Sequence, residues 1–213
     1  MVLYKGSQRM GAVYYGSKKI SKIYKGSQLL YAADPYKPRV VILEKGVAGT
    51  YSFTLNTKRK VQVIMVGAGG GGAWARYAAT YKRTENGGSG AMLQGTMMLN
   101  AGTYTVVVGQ GGTSAKQDRP MYESAASSQA TNGTATTFAS QSAGGGGGAY
   151  AQAGWGSTNG TAGAGGTATA STGFTATQGV DGDTTGVYNG YGAGGDGATP
   201  SNGKDGYVLI KSI

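Results

Sequence analysis

The stretch VQVIMVGAGGGG, residues 61–72, decides the fold of this chain. Its first half, Val61–Val66, is a short apolar run rich in β-branched residues, as in a buried strand. Its second half, Gly67–Gly72, has almost no side chains, so it is either a flexible linker or a segment that packs through its backbone. The glycine run directly follows a core strand, which favours the packed alternative: extended three-fold helices of polyproline-II geometry lying side by side.

The same succession of strand and glycine continues through the chain, in which 42 of 213 residues are glycine. Leu, Ile, Val and Phe are scarce enough to make disorder an option, but they cluster in short segments. We therefore predict a mainly β fold: a small β-sandwich-like frame of strands with polyglycine-II-like loops. Val61–Val66 is expected to pair with the strand before it. The predicted strands are 39–44, 51–55, 61–66, 103–108 and 207–210.

The composition excludes most catalytic chemistry. Cys and His are absent, so there is no disulfide, no thiolate site and no Ser-His-Asp triad. Gly67–Gly72 fits the glycine pattern of dinucleotide-binding loops, with Glu85 at the spacing of a ribose-binding acid, but no strand–helix alternation follows. Asp181, Asp183 and Asp196 fit Asx turns better than a calcium loop. We expect no enzyme activity, no cofactor and no metal.

A ten-residue repeat occupies the start of the chain. Leu3–Met10, Val13–Ile20 and Ile23–Leu30 each place an aliphatic residue and Tyr before x-Gly-Ser, and an apolar residue four positions past the glycine. One strand and one turn per repeat would give an antiparallel β-repeat module, a meander too small to bury a core alone. It would be stabilised by a partner or by self-association, or would lie against residues 39–66. The residues expected to mediate assembly are Tyr4, Tyr14, Tyr24, Ile20, Ile23 and Leu30.

Charge separates the two parts of the chain. Residues 1–83 hold 15 Lys and Arg against 2 Asp and Glu, whereas residues 84–213 hold 4 against 7. A basic N-terminal region could bind nucleic acid, an anionic surface or an acidic partner protein, and we do not expect nucleic acid. The predicted organisation is an attachment and assembly module at 1–34, a linker with two prolines at 35–38 and a glycine-rich β domain at 39–213.

The order of motifs resembles the glycine-rich domain of bacteriophage tail-fibre and adhesin proteins. The elements that carry the resemblance are Gly49–Phe53, Val61–Gly72, Ala101–Gly112, Ala135–Phe138 and Gly206–Ile210. The Tyr-x-Gly-Ser repeats resemble those at the start of some phage structural proteins. The resemblance implies a virion surface protein, often trimeric, that contacts the bacterial envelope. This chain is short and has no long shaft, which leaves open a tip, a head fibre or a decoration protein.

The expected function is therefore recognition of the bacterial host by a phage fibre or tip. The protein would be assembled in the host cytoplasm, anchored to other virion proteins through residues 1–34, and would bind a glycan or an outer-membrane protein through its loops. A homo-oligomer, with a trimer favoured, is expected. The alternative is a purely structural virion component without receptor binding.

Aromatic residues within the glycine-rich half are the candidate receptor contacts. They sit among small residues, where a rigid aromatic ring can serve an adaptable binding loop. Alternatively they fill the glycine layers, which supply no bulky side chains; this is favoured for Trp74 and Trp155 and left open for Tyr188 and Tyr191. The candidate receptor-binding residues are Trp74, Tyr77, Trp155, Tyr188 and Tyr191.

Overall fold

The computed structural model describes residues 39–213 completely and, within residues 1–38, only the backbone of six short strands. These are β1 (Tyr4–Lys5), β2 (Gln8–Arg9), β3 (Tyr14–Tyr15), β4 (Lys18–Lys19), β5 (Lys22–Lys25) and β6 (Gln28–Ala32). They form three separate antiparallel pairs, β1 with β2, β3 with β4 and β5 with β6. The predicted meander with one strand per repeat is therefore wrong: each repeat supplies two strands, because Lys5 already pairs with Gln8.

Several predictions for the N-terminal part concern features outside the described residues. These are the linker at 35–38 and the assembly role of Tyr4, Tyr14, Tyr24, Ile20, Ile23 and Leu30. They stay predictions, as does the boundary of the module at residue 34.

Residues 39–213 contain two sandwiches, and the larger one consists of two antiparallel sheets. The five-stranded sheet has the order β20 (Phe174–Thr177), β12 (Met92–Leu99), β9 (Arg59–Val66), β21 (Tyr207–Ser212) and β7 (Val41–Lys45). The four-stranded sheet has the order β17 (Gln141–Ala143), β16 (Thr136–Phe138), β13 (Gly102–Val108) and β8 (Gly49–Leu55). We call this pair of sheets the hydrophobic sandwich.

Strands β8 and β9 are consecutive in the chain but lie in different sheets. Strand β8 pairs with β13, and β9 lies between β12 and β21. The prediction that Val61–Val66 pairs with the strand before it is therefore wrong. The crossing between sheets sets Phe53 and Leu55 against Val61 and Val63, so that both strands bury their apolar face in one core.

Large side chains fill this core. Leu55, Met65, Leu93, Phe138 and Ile210 are almost completely buried. Burial of one such side chain contributes about 1.5–3 kcal/mol, so the scarce large apolar residues stabilise the fold because they are concentrated here.

The glycine segments between the strands form a second kind of core, which we call the polyglycine array. Its central segment, Gly67–Gly72, donates backbone hydrogen bonds in three directions with a period of three residues. In each of the three directions, two N–H groups that lie three residues apart donate to the same neighbouring segment, at 2.9–3.1 Å. The donor–acceptor pairs are Gly67–Ala91 and Gly70–Gly88, Ala68–Thr134 and Gly71–Thr131, and Gly69–Lys204 and Gly72–Ser201. A three-residue period is that of a polyproline-II helix, so the predicted polyglycine-II geometry is confirmed.

Six segments surround this central one. Segments 88–91, 131–134 and 201–204 accept its hydrogen bonds and run antiparallel to it, since the donor number rises as the acceptor number falls. Segments 112–115, 146–149 and 192–195 run parallel to it and donate to its carbonyl oxygens, for example Gly195 N to Gly70 O at 2.7 Å. Most backbone polar groups of the central segment are therefore satisfied without any side chain.

Close approach of backbones is what requires glycine in the array. A Cβ built on Gly70 would collide with the carbonyl oxygen of Gly147, and one built on Gly69 with that of Ala193. Both obstacles are backbone atoms, which cannot move aside as the end of a flexible side chain can. Glycine is required at these positions because its missing side chain lets neighbouring segments approach closely enough to form backbone hydrogen bonds.

Polar side chains close the perimeter of the array, where no further segment is available as a partner. We call them the rim side chains. They accept hydrogen bonds from outward-facing backbone N–H groups, as Asn132 Oδ1 does from Gly148 N at 2.8 Å. The other rim acceptors are Asn86 for Gly197, Asn202 for Ser114, Asp181 for Gly165, Asp205 for Gly111, Thr131 for Thr113 and Thr134 for Gln110.

A second, smaller sandwich continues from the array. One sheet has the order β11 (Tyr81–Glu85), β10 (Ala73–Tyr77) and β14 (Ala115–Arg119), and the other has the order β15 (Ala126–Gln129), β18 (Tyr150–Gly154) and β19 (Ser157–Thr161). Their shared core consists of alanines and Tyr77, so we call it the alanine sandwich. The fold is thus mainly β, as predicted, and residues 39–213 contain no helix that could cross a lipid bilayer.

Candidate functional site

Three loops at the end of the alanine sandwich form the candidate site. We call residues 78–80, 120–125 and 155–156 the distal loops. Strands β10, β14 and β18, which lead into them, continue from array segments that run parallel to one another, and β10 and β14 are parallel neighbours. Because the three strands leave the array in the same direction, their loops end on the same side of the molecule.

The distal loops carry the most exposed aromatic side chains of residues 39–213. Tyr122 is 93% exposed and Trp155 is 73% exposed, and Met121 beside Tyr122 is also exposed. Large apolar side chains that remain in solvent on loops held by a rigid frame are typical of binding surfaces.

The backbone between β10 and β11 is strained. Ala78 and Ala79 have φ values of 54° and 57°, a left-handed conformation that costs an alanine about 1–2 kcal/mol. Non-glycine residues in this region concentrate at ligand-binding sites. Both alanines border a shallow cavity of about 460 Å³, also lined by Arg76, Asp118, Arg119, Pro120 and Met121.

Two ion pairs hold the side chains around this cavity. Arg76 binds both carboxylate oxygens of Asp118, with Nε donating to Oδ1 at 2.9 Å, and the hydrogen bond from Arg76 lowers the pKa of Asp118. Arg119 donates to Glu123 at 2.7 Å within the loop at 120–125. The fork of Arg76 fixes the geometry of the cavity wall, and its charge is already matched by Asp118.

Two of the predicted receptor contacts are buried in strand β10. Trp74 is 7% exposed and Tyr77 is 6% exposed, so neither side chain is presented at the surface of the domain, and the favoured burial of Trp74 is confirmed. Lys116 lies 4.8 Å from the centre of the Trp74 ring. The Tyr77 hydroxyl donates to the carbonyl of Met121, so Tyr77 supports a distal loop from below. The burial of Tyr77 was missed because β10 is short and alanine-rich, without the apolar alternation that marks a strand.

Residues 46–211 match the family model of a glycine-rich domain. The chain belongs to this glycine-rich domain family. None of the curated proteins compared with it matches its sequence. The match spans the array, the distal loops and all strands of the hydrophobic sandwich except β7, so the three are parts of one glycine-rich domain.

Trp155 lies in the turn that joins β18 and β19 of the glycine-rich domain. The favoured prediction that it is buried is wrong, because the hairpin extends beyond the array and no segment covers its tip. Trp155 is therefore the one predicted contact that the structure places in a distal loop.

Tyr188 and Tyr191 lie far along the chain from the distal loops and pack on the hydrophobic sandwich. Both rings stack on Tyr207, with centroid distances of 5.4 and 4.5 Å. Gly46 lies so close to the Tyr191 ring that a Cβ there would collide with it. The Tyr207 hydroxyl donates to Glu44 at 2.7 Å, and burial, together with Glu44, raises the pKa of Tyr207. These contacts give both tyrosines a role in stability.

The sequence reasoning missed Ala78, Ala79, Met121 and Tyr122. One signal for the last two is local: residues 113–132 contain no glycine and include Pro120, unlike the glycine-rich sequence on either side. No local signal marks Ala78 and Ala79, because alanine seldom adopts a left-handed turn. Within residues 39–213, no cluster of acidic side chains is suited to hold a metal ion.

Proposed function

We propose that this glycine-rich domain is a bacteriophage virion surface protein that recognises the bacterial host through its distal loops. The observation that carries the proposal is the pair of exposed aromatic residues, Tyr122 and Trp155, on loops that the array brings to one end. Aromatic residues of this kind supply large contact area at low conformational entropy cost. Beside the exposed aromatic residues, the strained Ala78–Ala79 turn borders a shallow cavity, which gives this surface a concave part.

The phage context rests on the resemblance of the motif order to tail-fibre and adhesin domains. In this proposal residues 1–34 attach the protein to other virion proteins, in a homo-oligomer for which a trimer is favoured. The distal loops then face a glycan or an outer-membrane protein of the host. The described domain begins at Arg39, whose backbone N–H donates to Ser212 of the hydrophobic sandwich, whereas the distal loops belong to the alanine sandwich.

The test uses full-length protein with Tyr122→Ala and Trp155→Ala together. We expect binding to host cells to fall by at least about tenfold, since loss of two contacts of more than 1 kcal/mol each has that effect. The matched control is Val47→Ala with Met98→Ala, two exposed side chains outside the distal loops. It should bind like the parent, and both variants should unfold like the parent because they alter only exposed positions.

The structural alternative gives a different result. If the Tyr122 and Trp155 double variant is folded, binds and supports infection like the parent, receptor recognition by the distal loops is wrong. If deletion of residues 1–34 also removes the protein from particles, the chain is a structural virion component.

A further inference from the structure

Five Asn-Gly pairs occur in the glycine-rich domain, at 86–87, 132–133, 159–160, 189–190 and 202–203. This dipeptide is chemically labile. The backbone nitrogen of the glycine can attack Cγ of the asparagine side chain, which forms a cyclic imide and releases ammonia. Water then opens the ring at either carbonyl to give aspartate, or isoaspartate with an extra methylene in the backbone. Glycine offers no side chain to hinder the attack, so local structure decides which pair reacts.

The array holds both reacting groups of three pairs. Asn132 Oδ1 accepts a hydrogen bond from Gly148 N at 2.8 Å, while the attacking nitrogen, Gly133 N, donates to Gly146 O at 2.9 Å. Ring closure would break both bonds. The same double restraint applies to Asn86 with Gly87 and to Asn202 with Gly203.

The fourth pair is restrained by a β-ladder. Asn159 and Gly160 belong to β19 and lie opposite Gln152 and Ala151 of β18. The ladder keeps the backbone extended and limits the rotation that would bring the glycine nitrogen to its neighbour's side chain.

Asn189 and Gly190 differ from the other four pairs. They form the turn between Tyr188 and Tyr191, with φ values of 49° and 78°. Asn189 is exposed, and a Cβ built on Gly190 would meet nothing within 4 Å. Within residues 39–213, neither the Asn189 side chain nor the Gly190 N–H makes a hydrogen bond, so neither reacting group is held.

We propose that Asn189 is the deamidation site of the folded protein, and that the fold protects the other four Asn-Gly pairs. Asn189 lines a second shallow cavity, distinct from the one at the distal loops, together with Lys204 and Asp205, and the modification adds a negative charge there. In the isoaspartate form it also lengthens the backbone between Tyr188 and Tyr191, whose rings stack on Tyr207. The reaction is therefore expected to loosen this tyrosine stack.

The experiment incubates the full-length protein in mildly alkaline buffer and maps deamidation over time by tandem mass spectrometry after acidic digestion. We expect Asn189 to react at least about tenfold faster than Asn86, Asn132 or Asn202, because the array must open locally before those can react. Near-ultraviolet circular dichroism of the tyrosines should change in step with modification of Asn189.

Two controls make the result decisive. In concentrated urea the five pairs should react at similar rates, because the restraint is structural. Asn189→Gln should remove the fast phase without changing the slow ones. The proposal is overturned if Asn189 is not the fastest site in the folded protein, or if its lead persists in urea.

Discussion

The hydrophobic sandwich and the polyglycine array lie side by side in one domain and are stabilised by opposite means. The sandwich excludes water with large side chains such as Leu93 and Phe138, which are almost completely buried. The array is equally buried along Gly67–Gly72 but has no side chains to contribute, and its segments are joined by backbone hydrogen bonds in three directions.

This difference shows two solutions to the entropy cost of folding. Each ordered glycine loses more conformational freedom than any other residue, so the array cannot be stable as a single extended strand. It becomes stable where the central segment has partners on every side, and where the strands that continue from it fix its ends. In the sandwich, removing part of one side chain is expected to lower the stability in proportion to the apolar surface lost. In the array, one added Cβ would collide with the backbone of the next segment.

The largest expected effect is that of Gly70→Ala at the centre of the array. Because its methyl group would meet the Gly147 carbonyl, we expect the free energy of unfolding to fall by more than about 4 kcal/mol. Urea denaturation followed by circular dichroism measures it. The control Gly156→Asn, at a left-handed turn with free space, should cost about 1 kcal/mol or less. Equal stability of the Gly70 variant and the parent would contradict close packing.

Leu93→Ala tests the sandwich in the same assay. Removing this fully buried side chain should cost about 2–5 kcal/mol, through lost burial and a residual cavity. Met98→Ala on the same strand is the control, since Met98 is exposed and its loss should stay within about 0.5 kcal/mol. A cooperative transition should persist in both variants.

Asn132→Ala tests a single rim side chain. Loss of its bond to Gly148 N should cost about 1 kcal/mol and speed hydrogen exchange of the Gly148 amide. Asn159→Ala, an exposed asparagine outside the array, should leave both quantities unchanged. Unchanged exchange at Gly148 in the Asn132 variant would show that solvent satisfies the rim equally well.

The smallest expected effect concerns Asp183 and pH. Partial burial raises the pKa of Asp183, but hydrogen bonds from Thr185, Ser89 and Gly186 together outweigh it, so the pKa lies below its ordinary value. Its stabilising contribution is present above the unfolded-state pKa and is lost as pH falls through the lower folded-state pKa. Asp183→Asn should therefore be less stable at neutral pH and show a flatter acid dependence in unfolding experiments. An unchanged acid limb would disprove this.

The strands of the sandwich and the nature of the array could be predicted from the sequence, because Val61–Val66 and Gly67–Gly72 carry strong local patterns. The pairing of β8 with β13 could not, since an alternating strand gives no information about its sheet. Strand β10 was missed because two of its three core positions are alanines, Ala73 and Ala75, whose small size only a closely packed second sheet explains.

For the candidate site, the sequence pointed to aromatic residues on loops as a class, and that role stays a prediction. Exposure separates Trp155 from Trp74, and it depends on which strands continue past the array. From the residues beside them in the sequence, Tyr188 and Tyr191 fitted a receptor contact and a buried packing position equally well. Only the position of Tyr207 beside them shows that they pack within the molecule.

The rim side chains have a further consequence. Extended glycine helices that bond in three directions leave unpaired N–H and C=O groups on the outermost segments, and their geometry alone sets no limit on how many segments can be added. Asparagine, aspartate and threonine side chains at the perimeter accept hydrogen bonds from outward-facing N–H groups, so these groups are not free to bond another segment. The rim side chains thereby occupy backbone donors that another segment would otherwise accept from, and the array ends within this chain.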